Sequence, residues 1–272
     1  MKKLKVLDLF SGIGGFTLGL DSTNFFETVK FVEKDKYCQK VLQKNFPNIP
    51  IEEDIKNVKG KEGDADVIVG GFPCQPMSVA GKRKGTDDDR YLWPEMFRLI
   101  REIKPQFVIG ENVKNIINIQ DGVVFETVCT DLESEGYEVQ PFNIPAAGVG
   151  APHRRERVWI VANTKSIESY VGEHGKHQEE RSGQGEIRGE NSHDANTYSK
   201  RLERFRTEHE LRNSEKEKQT SGNSWWSVEP NVGRVANGVP GRVHRLKGLG
   251  NAIVPQIAKE IGLAIKKVVN DI

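Results

Sequence analysis

The sequence predicts an α/β protein with a doubly wound, mostly parallel sheet. Three observations carry this. Short runs rich in Leu, Ile and Val recur at 4–9, 29–33, 66–70 and 106–110, apolar on both faces as buried parallel strands are. Stretches with apolar residues at helical spacing lie between them. A glycine-rich turn directly follows the first run, as in nucleotide-binding α/β folds.

Taken in order, the first run ends in Leu7, Asp8 and Leu9 and meets the turn at Gly12, Gly14 and Gly15. The second run ends at Glu33. Tyr37, Val41 and Leu42 then share a helical face. After the 66–70 run and a polar loop, Pro94 opens a helix whose Phe97, Ile100 and Ile103 face one way. The 106–110 run follows, and then a helix with Phe125, Val128, Cys129 and Leu132 in a stripe. Residues 137–144 and 157–162 read as later strands, and 253–268 as a closing helix.

The character changes near Asn163. From there to Asn223 the chain has 11 Lys and Arg against 12 Asp and Glu, with few apolar residues, so it cannot bury much core by itself. The expected organisation is a catalytic and cofactor-binding domain at 1–162, a small insertion at 163–224 that is either poorly ordered or a module that orders on its partner, and a segment at 225–272 that returns to the first domain.

Net charge is +1, so any nucleic-acid partner must be met by locally gathered cations. Cys38, Cys74 and Cys129 are too few and too scattered for a disulfide framework or a zinc site. No metal is expected: His174 and His177 have no cysteine near them. The apolar run at the start is broken by Asp8, so neither a signal peptide nor a membrane span is expected, and the expected location is a reducing cytoplasm.

Four blocks carry chemistry. In DLFSGIGGF (8–16) the glycines permit a tight turn against a ligand, but Thr17 breaks the GxGxxG spacing and disfavours a nicotinamide dinucleotide. Glu33 stands where an acidic residue holds ribose hydroxyls in such folds; a solvated strand-end carboxylate is an equal reading. In GGFPCQPMS (70–78) Cys74 follows a proline on a strand-end loop, where a reactive thiol belongs, while Cys38 and Cys129 read as small core hydrophobes. The following loop is basic at Lys82, Arg83 and Lys84 and reads either as a lid over phosphates or as a solvated loop. Glu111 of ENV (111–113) enters the same crevice if the strands are neighbours, giving a nucleophile and an acid. Arg154, Arg155 and Arg157 crowd the start of the 157–162 strand and suit phosphate or base contacts, or salt bridges.

The ordered set of blocks, ending in GLGNAIVPQIA (248–258), resembles the DNA (cytosine-5)-methyltransferase family, in particular its short phage-type and restriction-modification-type members. The resemblance covers roughly the first 160 residues and the last 50. It implies a Rossmann-like methyltransferase fold and the cofactor S-adenosylmethionine, with S-adenosylhomocysteine as product. Phe10 would stack on the adenine, Gly12, Ile13 and Gly15 would line the cofactor, and Glu33 would hold the ribose. Asp54 and Ile55 would flank the adenine, and Asn251 would close over the methionine end. Pro73 and Cys74 would be the catalytic pair, with Glu111 on the cytosine and Arg155 and Arg157 on the base and its phosphate. Gln75, Ser78, Lys82, Arg83 and Lys84 would meet the DNA. The insertion would be a target-recognition module, with Arg201, Arg204 and Arg206 as its densest candidates.

The implied partner is double-stranded DNA, met by a monomer, with a companion restriction endonuclease acting separately. His153 replaces the family's usual Gln before the Arg-x-Arg pair, and Met77 stands where Phe or Ala is commoner. Rival readings are an RNA cytosine-5 methyltransferase and a catalytically silent DNA-binding or regulatory module. The intact Cys74 and Glu111 blocks weigh against the second.

Overall fold

The computed structural model describes residues 2–74, 91–164 and 248–270. The expected insertion, beyond its first two residues, and the expected DNA contacts Gln75, Ser78, Lys82, Arg83 and Lys84 lie outside the described residues.

Seven strands form one sheet: β1 (Leu4–Leu9), β2 (Phe26–Val32), β3 (Ile51–Glu52), β4 (Val67–Gly70), β5 (Phe107–Val113), β6 (Tyr137–Pro145) and β7 (Glu156–Thr164). Their spatial order is β3-β2-β1-β4-β5-β7-β6. Strands β1 to β5 pair in parallel, and β7 runs antiparallel to both β5 and β6. The mostly parallel, doubly wound sheet is therefore present, with an antiparallel hairpin at one edge. Five helices are used below: α1 (Gly15–Asp21), α2 (Lys36–Asn45), α3 (Trp93–Ile103), α4 (Val123–Ser134) and α5 (Pro255–Asn270).

Strand alternation sends side chains into two apolar layers. Val6, Val67, Val69, Phe107, Ile109 and Trp159 pack under α1 and α5. Leu7, Ile68, Val108 and Ile160 pack under α3 and α4. Covering both faces is what near-continuous apolar strands require. Helix α3 turns Trp93, Met96, Leu99, Ile100 and Ile103 inward. Phe97, expected on that face, is half-buried and stacks on Trp93 with ring centres 5.9 Å apart.

The α1–α5 seam is close-packed. A methyl added at Gly19 would run into the carbonyl of Pro255 and come within 2.8 Å of the Ala258 Cβ. One at Gly262 would lie 2.9 Å from Leu20. Beneath α1, the fully buried Asp8 accepts a 2.8 Å hydrogen bond from the Thr17 hydroxyl, which lies 2.9 Å from that of Thr28. Burial pushes the Asp8 carboxyl up to about 7.

Strand order reverses between β1 and β4, and ligands collect outside the carboxyl ends of strands at such a point. The register makes this concrete. Leu9 pairs with Gly70, and Gly70 with Gly110. The loops beginning at Phe10 and Gly71, and the residue Glu111, thus step off one level of the sheet.

Candidate active site

One cavity of about 570 Å³ opens at this reversal point. Phe10, Gly12, Glu33, Pro73, Cys74, Glu111, Arg155, Arg157 and Asn251 line it, together with Cys38 and Asn112. Nine expected site residues thus share one space. Ile13 and Gly15 line an adjoining cavity of about 850 Å³ that also touches Arg155. Asp54 caps a short 3-10 turn by accepting from Lys56 N–H at 3.0 Å, and Ile55 is buried in the core; neither lines the 570 Å³ cavity.

At one end the chain turns sharply through Phe10 (φ 53) and Gly12 (φ 55). Positive φ suits glycine, and a Cβ at Gly12 would find nothing nearer than the Phe10 carbonyl at 4.0 Å, so the turn leaves open space above it. Glu33 closes this end. Its carboxylate accepts from Gly12 N–H and Asp35 N–H, both at 2.7 Å, and this fixes the carboxylate against the turn.

At the other end Cys74 is buried, and its S–H donates to Asn112 Oδ1 at 2.7 Å. Asn112 Nδ2 donates to the Phe72 carbonyl at 2.8 Å, and its Oδ1 also accepts from Val113 N–H at 2.9 Å. This one amide ties the cysteine loop to the tip of β5. Cys74 and Tyr91 form an isolated antiparallel bridge, which sets Tyr91 beside the cysteine. Burial pushes the Cys74 thiol above its ordinary 9.0, and the charge of Glu111 adds to this. The resting group is the thiol, and the contact with Asn112 Oδ1 is one to which the thiol supplies the proton.

Glu111 stands on β5 beside the thiol. A methyl at Gly71 would lie 3.3 Å from its Oε2, so the cysteine loop passes directly against the carboxyl. Arg157, two pairs along the β5–β7 ladder, reaches back with Nε 3.2 Å from Glu111 Oε1. Burial pushes the Glu111 carboxyl from 4.5 to about 7, and the pull of Arg157 and Arg155 offsets it only in part. Near neutral pH this group is both acid and base. Arg155 points elsewhere: its two terminal nitrogens donate to the carbonyls of Gly250 and Ala252, each at 2.7 Å.

Asn112 was not singled out from the sequence. The available signal was an amide beside a glutamate at a strand end facing a cysteine loop. Cys38, read as a core hydrophobe, is buried but borders the cavity.

The fold and the cavity define an α/β protein with a thiol, a proton-holding carboxyl and an arginine gathered at the switch point of a doubly wound sheet. The model of the C-5 cytosine-specific DNA methylase family matches residues 4–239. The chain belongs to that family. It is 42% identical over 171 residues to the type II methyltransferase M.Bsp6I of Bacillus sp. (strain RFL6), a match covering 61% of this chain and 54% of that protein. It is also 42% identical over 171 residues to the type II methyltransferase M1.ScrFI of Lactococcus lactis subsp. cremoris, covering 62% and 44%. The chain therefore spans about half the length of these relatives. Among solved structures, an E. coli prophage-encoded protein described as a DNA modification methyltransferase superposes with a TM-score of 0.52 at 28% identity, over 61% of this chain and 48% of the other.

Proposed function

We propose that this chain transfers a methyl group from S-adenosylmethionine to C5 of a cytosine flipped out of double-stranded DNA. It acts as a monomer in a restriction-modification or phage self-protection system, with any companion endonuclease acting separately. The observation that carries this reading is the convergence of Cys74, Glu111 and Arg157 in the cavity whose far end is built from Phe10, Gly12 and Glu33 and which Asn251 also lines.

That far end fits the cofactor. The turn leaves open space above Gly12, and Glu33 presents a fixed carboxylate suited to a ribose diol. Phe10 offers an aromatic face. When bound, S-adenosylmethionine supplies the electrophilic methyl that C5 takes.

The residues at the near end do the rest. The target carbon is out of reach inside the stack, so the base must leave it at a cost of a few kcal/mol. Cys74 gives up its proton to solvent water, and its sulfur bonds to C6 as the C5–C6 π bond opens. The electrons of the C5–C6 bond then move toward the ring nitrogen N3. Glu111, in its protonated form, donates a hydrogen bond there and draws charge away from the ring. Burial chiefly holds the Cys74 thiol up, and the same protonation removes the negative charge that adds to it, so a neutral Glu111 helps twice. Arg157 holds Glu111 in place and limits how far burial raises it. After methylation a water takes the C5 proton, its electrons re-form the C5–C6 double bond, the S–C6 bond breaks, and the released thiolate takes a proton back from solvent. Gln75, Ser78, Lys82, Arg83 and Lys84 are assigned to the DNA by sequence alone, as is the reading of target sequence by the 163–224 insertion.

The test is methylation of unmethylated DNA with S-adenosylmethionine, read by bisulfite sequencing, with Cys74→Ala in parallel. Protected cytosines in one short context, absent with the variant, are expected. No protection on any DNA by a protein that binds the cofactor would overturn the reading.

A further inference from the structure

Arg155 is placed by family likeness on the base or its phosphate, yet its guanidinium is committed elsewhere. It grips two backbone carbonyls nearly a hundred residues away, at Gly250 and Ala252, each at 2.7 Å. The residue between them is Asn251, which lines the 570 Å³ cavity. The guanidinium therefore forks across Asn251 and fixes the backbone on both sides of it. A planar group with rigidly disposed donors does this where a flexible ammonium would hold one carbonyl at a time.

The backbone at Arg155 is itself unusual. Its φ of 34 lies in the left-handed region, which a non-glycine residue adopts only when its surroundings fix it. Two residues on, Arg157 holds Glu111. Arg155, just before β7, and Arg157, within it, thus have different errands, one to the short helical turn around Asn251 and one to Glu111. On the far side of that turn, Ile253 is pressed against α1: a methyl at Gly15 would lie 2.8 Å from the Ile253 carbonyl. The 248–253 turn is thereby held between α1 and the Arg155 fork.

We infer that Arg155 is a positioning residue for the cofactor, acting through the 250–252 backbone to aim Asn251 into the cavity. The inference rests on the reading of that cavity as the S-adenosylmethionine site. It gives Arg155 a task that is complete without DNA, distinct from that of Arg157.

The test is calorimetric titration of S-adenosylhomocysteine into the DNA-free protein as wild type, Arg155→Met, Arg155→Lys, Asn251→Ala and the Arg155→Met/Asn251→Ala pair. Two charge-assisted hydrogen bonds are lost in Arg155→Met, and a tenfold or greater rise in Kd is expected, in proportion to about 1.4 kcal/mol per decade. Arg155→Lys, keeping one carbonyl, falls between it and wild type. In the Asn251→Ala background Arg155→Met should add less than about threefold, because its route to the ligand is already cut. Fully multiplicative losses in the pair would overturn the route through Asn251. An unchanged Kd in Arg155→Met would overturn the positioning role altogether. Thermal melting without ligand checks that each variant is folded; if Arg155→Met is not, the Arg155→Lys and Arg155→Lys/Asn251→Ala measurements decide on the same criteria. A wild-type protein that fails to bind the ligand takes down the cofactor reading and this inference together.

Discussion

Replacing Glu111 by glutamine keeps the shape of a buried side chain and removes its proton equilibrium. In the folded protein this carboxyl stands at about 7 against an ordinary 4.5, chiefly through burial. The folded state therefore keeps a proton that the unfolded state releases. Stability from this group is fully present below about pH 4.5, falls as pH climbs through the window to about 7, and stays low above it. The gap of two and a half pH units, at about 1.36 kcal/mol each, is worth roughly 3 kcal/mol. Glutamine has no such dependence. Urea unfolding of both proteins should show the stability of Glu111→Gln relative to wild type rising by roughly 3 kcal/mol between about pH 5 and about pH 8.5. Asp8, also pushed to about 7 by burial, contributes to both proteins and cancels in the difference. A difference that stays flat with pH would refute the reasoning. It would mean that Arg157, at 3.2 Å, keeps Glu111 ionised in spite of its burial.

Other consequences are equally concrete. Cofactor-saturated methylation should decline as pH rises past about 7, where Glu111 loses the proton it offers to the base, and a pH–rate profile of single turnovers would show it. Gly19→Ala should destabilise the protein by about 1–3 kcal/mol in urea, because the new methyl meets the backbone of α5 rather than a side chain that can swing away. Asn112→Ala removes the acceptor of the Cys74 proton and the tie to the Phe72 carbonyl. A loss of about 1–3 kcal/mol in stability is expected, together with faster alkylation of Cys74 by iodoacetamide as its loop loosens.

Much of this architecture was legible because strand and helix signals are local. The runs at 4–9, 66–70 and 106–110 matched strands to within a few residues, since parallel strands buried on both faces must be apolar throughout. The convergence of Cys74 with Glu111 followed from strand-end loops in a doubly wound sheet. What was not legible depends on register and partners. That residues 137–145 and 156–164 pair antiparallel with each other at the sheet edge is set by the connection between them, which carries no period. The inward stripe of α3 includes Trp93 and Met96 because the helix is rotated to seat Trp93 against Phe72, a tertiary fact. The hydrogen bonds of Arg155 to the Gly250 and Ala252 carbonyls join segments nearly a hundred residues apart, and no local pattern signals them. The protonated, Asn112-bound state of Cys74 reflects burial, which composition alone does not fix.

The central claim is that Cys74 bonds covalently to the cytosine ring. Duplex DNA made with 5-fluorocytosine in place of cytosine tests it directly, because fluorine at C5 cannot depart as the proton does and the ring stays bound to sulfur after methylation. With S-adenosylmethionine present, the wild-type protein should form a denaturant-stable complex whose digested peptide carries the methylated nucleotide on Cys74, and Cys74→Ser should form none. Methylation of ordinary DNA without such a complex, or a complex that persists in Cys74→Ser, would contradict the account.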